Sequence, residues 1–241
     1  MNKRWRDAWY LVQSDLVRFK FGVVFTLFFA AYMAVCSLAS LHVMTDGSGE
    51  DAYMRILLDF VMLALVPSLG FLFSRRSFGY LANDSYRKHL IKMRTLPIDT
   101  RTIVLSRYMS MGFNTMVNGL IFFGIQYIFI ITVIKPLDFN RFGIYALTFI
   151  AYSIIMHTIY IQLEWRYSGK RYGLIVSMIM ALSLIVAIVI GLTGNSIFLA
   201  VMELAFQWPI PTVIIAVIVI VQTFRTGMQL SLRTLKKVDL M

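Results

Sequence analysis

The 241 residues are 59% hydrophobic and 15% charged, with a mean hydropathy of +0.74. Soluble domains carry about 25% charged residues, and a chain of this size has no core able to hide so much apolar surface; a soluble enzyme, a disordered chain and a secreted disulfide scaffold are excluded, which leaves an integral membrane protein. Lys and Arg number 23 against 12 Asp and Glu, for a net charge of +11, a balance that in a membrane protein reads as orientation by cytoplasmic basic residues rather than nucleic-acid binding.

The chain opens with Trp5, Trp9, Val12, Leu16 and Phe19, which fall on one helical face. Lys3, Arg6, Asp7, Gln13, Ser14 and Arg18 lie mostly elsewhere. Residues 1–21 are expected to form an amphipathic helix in the inner interface, turning up near Gly22 into the first span. The first apolar run is too long for a signal-peptide core and is expected to be retained.

Runs long enough to cross the hydrocarbon core occur at 22–44, 56–74, 106–134, 142–163, 172–193 and 210–230. Only the second carries an internal acid, Asp59. The runs are apolar on every face, so a barrel of alternating strands is excluded. The expected fold is all-α and polytopic: six transmembrane helices over 22–233, a cytoplasmic loop over 75–105 and a cytoplasmic tail over 234–241. Twenty of the 23 Lys and Arg fall on one side of this arrangement; Arg55, Lys135 and Arg141 fall on the other. Both termini are therefore expected in the cytoplasm of a multi-pass cell-membrane protein.

The 75–105 loop is the long soluble piece. Asp84 or Ser85 suits a helix cap, and Tyr86, Leu90, Met93 and Leu96 follow at helical spacing with Arg87, Lys88, Lys92 and Arg94 around them. Pro97 ends that helix by disfavouring helical geometry at Leu96. Asp99 or Thr100 caps the next helix, which runs through Ile103, Val104 and Leu105 into span three. A short helix set off by such a break can dock in a partner's groove; the plainer reading is a connector carrying inner-side positive charge.

The stretch Met-Arg-Thr-Leu-Pro-Ile-Asp-Thr-Arg-Thr-Ile-Val-Leu-Ser-Arg, residues 93–107, resembles a segment of ABC-2 type transporter permeases, as does the layout of interfacial helix, six spans and inner ends. The resemblance implies a permease paired with a second permease, as a homo- or heterodimer, and with a separate ATP-binding subunit that holds ATP and Mg. It implies a coupling helix at about 85–96, with Arg87, Lys88, Lys92 and Arg94 as charge partners for the ATPase and Tyr86, Leu90 and Met93 as packing residues, bounded by Leu96 and Pro97. It also implies an external helix between spans five and six. Thr193–Trp208 fits, because Gly194 and Asn195 break the helix and Ile197, Phe198, Val201 and Leu204 are spaced for one face.

Polar residues inside spans are functional candidates by default. Asp59 has Arg55 four residues before it, so the local reading is an ion pair. His157 either lines a polar path or satisfies a neighbouring helix. Asn114 and Asn118 share a face and, with Gln126, either stitch helices by hydrogen bonds or face a translocation route. The chain has one cysteine, Cys36, hence no intrachain disulfide, and its histidines 42, 89 and 157 lack metal-ligand spacing. No Gly-x-x-x-x-Gly-Lys-Ser/Thr occurs. No enzyme, cofactor or metal site is expected in this chain. The reading is the permease subunit of an ATP-driven exporter; the rival is a non-transporting immunity, regulatory or scaffold protein of the membrane.

Overall fold

The computed structural model describes residues 3–45, 52–72, 84–134 and 138–237. The described residues are mostly helical, joined by short turns, with no strand among them. Helix α1 is Lys3–Arg18 and α2 is Lys20–Thr45, separated by a turn at Phe19 rather than near Gly22. Helix α3, Ala52–Phe60, continues as a π-helical stretch, Val61–Leu65, and a 3-10 stretch, Val66–Gly70. The short helix α4 is Ser85–Thr95, α5 is Thr100–Phe129 with a π-helical end at Ile130–Ile134, and α6 is Phe139–Arg166. Helix α7 is Gly169–Leu192, α8 is Ile197–Gln207 and α9 is Pro209–Lys237.

Six of these helices are long and apolar enough to cross a membrane: Lys20–Leu38, Ala52–Gly70, Thr100–Val133, Phe139–Arg166, Gly169–Leu192 and Pro209–Lys236. The expected order holds, with shifted edges. Span three is helical from Thr100, six residues before its expected start, because Asp99 caps it by accepting from the Arg101 N–H at 3.0 Å. Span six runs through Arg225 and Arg233 to Lys237, so the first half of the expected tail is helix. Span two starts four residues early and is broken near its end.

Caps explain the other boundaries. Asp138 accepts from the Asn140 N–H and starts α6. Pro209 opens α9, where its missing N–H is harmless and its fixed φ suits a first turn. Gly194, at φ +80°, closes α7; a side chain there would be strained.

Helix α9 packs most extensively on α6, α2 on α5 and α3 on α7. One apolar cluster joins Leu58, Met62, Val66, Leu69, Phe122 and Phe149 around Tyr145, whose ring lies 5.1–5.9 Å from those of Phe123, Phe142, Phe149 and Phe198. A second cluster, at the end bearing α4, joins Leu90, Val104, Tyr108, Met111, Ile161, Trp165 and Leu235. Helices α7 and α9 leave most of their apolar surface outward, as lipid-facing helices do.

Helix α1 does not rest on lipid by its whole apolar face. Ala8 and Val12 are buried and Trp9 meets Phe113 of α5 edge-on at 5.9 Å, while Trp5 stays half exposed. The face is divided between span three and the exterior. Arg4 adds an ion pair to Asp99 at 3.7 Å, beside the cap of α5.

Candidate functional site

Two regions gather the candidate residues: the α4 end and the broken part of span two. Helix α4 stops where Pro97 predicts, with Leu96 extended at φ −82°, ψ 151°. Its inward side is Leu90, fully buried against the second cluster, with Met93 half-buried beside it. Both belong to one apolar cluster with Ile103, Trp165 and Leu235 of their own chain, as the apolar stripe of a helix laid on a bundle does. Lys88, Ile91, Lys92, Arg94, Leu96 and Pro97 form the outward side. The side chains of Tyr86 and Arg87 lie outside the described residues.

Asp84 stands at the N-cap position of α4 in the left-handed conformation, φ 48°, and gives its own helix no side-chain cap. Its carboxylate accepts instead from the Gly169 N–H at 2.9 Å, supplying the cap that Ser168 does not make for α7. The start of α4 is thereby tied to the start of span five. Beside it, Arg107 of α5 donates to Glu164 of α6 at 2.7 Å, both side chains largely buried. Below that pair, Gln162 of α6 donates to the Gly227 carbonyl at 3.1 Å and to Ser231 Oγ of α9, and Tyr108 shares Ser231 at 3.1 Å. Spans three, four and six are thus bonded at the same level.

The second region follows from Pro67. Proline lacks the N–H that would bond the Leu63 carbonyl one turn back. The Tyr152 hydroxyl donates to that carbonyl at 2.7 Å. Ser68 Oγ donates to the Leu65 carbonyl at 2.6 Å, Ser153 Oγ to Val66 at 3.1 Å and Asn118 Nδ2 to Leu69 at 2.7 Å. Non-helical backbone inside a membrane persists only when neighbours satisfy its polar groups. Here spans three and four do so. Asn118 is therefore a stitching residue, and so is Gln126, which donates to Ser37 Oγ of span one at 2.7 Å. Asn114 is buried and donates at 3.5 Å to Ser110 within its own helix.

His157 lies against the end of the break, fully buried, with the Phe71 ring 4.4 Å away. Neither imidazole nitrogen makes a hydrogen bond of good geometry among the described residues. The carboxylate of Asp59 accepts from Ser196 Oγ at 2.7 Å, the Ile197 N–H at 2.8 Å and the Phe198 N–H at 3.0 Å. The Asp59 carboxylate thus caps α8, held by three converging donors at a helix N-terminus. Helix α8 forms within the expected segment but buries Phe198 and Ala205 and exposes Leu204.

Sequence reading missed the break and its satisfiers Tyr152 and Ser153. The signal was present: Val66-Pro-Ser-Leu-Gly inside an apolar run marks an interrupted span. The Gln162–Tyr108–Ser231 group carried no local signal. Among the described residues no group of His, Cys, Asp and Glu is arranged to hold a metal. Comparison of the chain with protein-family models and with curated proteins finds no match.

Proposed function

We propose that this chain is the permease subunit of an ATP-driven transporter of the ABC-2 type, an exporter of the cell membrane, with both termini and α4 on the cytoplasmic side. ATP and Mg are held by a separate ATPase subunit, and a second permease completes the transporter. The observation that supports this reading is the seating of α4. Its inner face is built into the bundle through Leu90, and its first residue, Asp84, is bonded to the start of α7. Its outer face presents Lys88, Lys92 and Arg94. A partner that grips the outer face moves α4 as a lever. Packing and hydrogen bonds then carry the displacement into spans three to six, because packed interfaces shift as units rather than deform. A partner that closes on ATP would bias the permease between two states in this way.

The test is affinity purification of the full chain from its native membranes, with mass spectrometry of partners and an ATPase assay. A stoichiometric P-loop ATPase is expected. It should be lost when Lys88, Lys92 and Arg94 are all changed to Glu, with thermal stability moved by no more than about 0.5 kcal/mol, as for exposed positions generally. Leu90→Ala is unsuitable as a probe of the contact, since truncating a buried leucine costs about 2–5 kcal/mol by itself. A preparation free of ATPase, under conditions that keep a known transporter complex intact, would overturn the proposal in favour of an immunity or scaffold role.

A further inference from the structure

The break in span two seals a polar compartment. His157 is fully buried and neither ring nitrogen makes a hydrogen bond of good geometry, although the backbone at Pro67 is close enough to act on the ring. Thr115 Oγ1 of α5 is also buried and without a partner. A neutral imidazole brings one donor and one acceptor, and a hydroxyl brings a donor. Native interiors leave few such groups unmade, so two neighbouring side chains in that state need a reason.

Their surroundings supply one. His157 and Thr115 converge on Gly70, where a Cβ would lie 2.7 Å from His157 Nδ1 and 3.0 Å from Thr115 Oγ1. The compartment therefore has no spare room in this conformation. Its wall is Phe71, whose ring meets the imidazole edge-on and also lies 5.6 Å from that of Tyr160. The same Phe71 lines a cavity of about 90 Å³ at the α4 end, whose other walls include Ser110, Arg107 and Glu164. Phe71 is the residue at which the 3-10 turn opens into extended chain, at φ −80°, ψ 147°. One side chain, at the joint of a broken helix, divides a charged cavity from a buried polar site.

We infer that His157 and Thr115 form a binding position for a small neutral hydrogen-bonding group, water or a hydroxyl, reached from this cavity when Phe71 swings on the Val66–Gly70 break. Neutrality follows from the lining. Arg107 and Glu164 are paired with each other at 2.7 Å, and Gly70 and Phe71, which meet His157, carry no charge to balance an ion. Two neutral groups able both to donate and to accept match a hydroxyl or a water. The site extends a polar route from the inner cavity toward the middle of the bundle, whatever partner drives the movement.

The test uses thiol accessibility in the full chain. Cys36 is the sole cysteine, so Cys36→Ser gives a clean background. His157→Cys is placed in it and inverted membrane vesicles are treated with a small methanethiosulfonate, which needs a water-exposed thiolate. Ser110→Cys, in the cavity wall, is the accessible control. The expected result is slow labelling at 157 that rises about tenfold with Phe71→Ala, as a rate limited by a minor open state rises when the barrier is removed. Labelling at 110 should be unchanged. Sub-lytic octanol that slows labelling at 157 would assign the position to a hydroxyl-bearing amphiphile; unaltered labelling would assign it to water. A cysteine at 157 that stays unreactive with and without Phe71→Ala, while 110 reacts in both, would overturn the inference. If Phe71→Ala fails to fold, Phe71→Leu makes the same comparison with a smaller expected rise, and an unreactive 157 in that variant overturns it equally.

Discussion

Asp59 and Ser196 are 137 residues apart in sequence and 2.7 Å apart in space, the serine hydroxyl donating to the carboxylate. The same carboxylate takes the first two backbone N–H groups of α8. A charge that would be costly inside a span is thereby held by oriented donors and by the positive end of a helix.

Removing that carboxylate should loosen α8. Asp59→Ala is expected to lower stability by roughly 2–4 kcal/mol, since it deletes charge-assisted bonds and leaves buried donors unmet. Asp59→Asn, which keeps one acceptor oxygen, should fall between, and Ser196→Ala should cost about 1 kcal/mol. Thermal unfolding of the purified variants in detergent ranks them. An Asp59→Ala protein as stable as the parent would refute the cap.

Gly70 leaves no space for a side chain beside His157. Gly70→Ala should destabilise by about 1–3 kcal/mol through overpacking. Adding His157→Ala should recover part of that loss, because the nearest obstructing atoms belong to the imidazole. Equal stability of the single and double variants would show that the backbone gives way instead.

Gln162 bonds α6 to α9 through the Gly227 carbonyl and Ser231. Gly227 allows the approach; a Cβ there would stand 2.7 Å from both Thr158 Cγ2 and the Tyr108 hydroxyl. A double-mutant cycle of Gln162→Leu and Ser231→Ala should give a coupling of about 0.5–1.5 kcal/mol, the range for hydrogen bonds between membrane helices. Additive effects within about 0.3 kcal/mol would place the bond outside the stabilising set.

The proposed orientation has its own check. In the Cys36→Ser background, Ser48→Cys should react with an impermeant thiol reagent added outside intact cells, and Lys92→Cys should react only after permeabilisation. The reverse pattern would invert the topology.

The number of helices, their order and several of their ends were legible because those signals are local. Apolar length sets a span, Asp99 caps α5 within two residues, and Pro97 stops α4 at its neighbour. The side of α4 that turns inward was not legible, since Leu90 and Met93 could pack on a partner or on this bundle with the same periodicity. The roles of the intramembrane polar residues were not legible either. Asp59 lies beside Arg55 in sequence but caps a helix formed 137 residues later. Asn118 meets a carbonyl 49 residues away, and Tyr152 and Ser153 meet carbonyls 89 and 87 residues away. Spans that are apolar on every face give no amphipathic stripe to show which side meets which neighbour, so the sequence by itself determined what crosses the membrane. Only the tertiary structure decided which buried donor found which acceptor, because in lipid a backbone group freed by Pro67 takes whatever polar side chain the packing brings within reach.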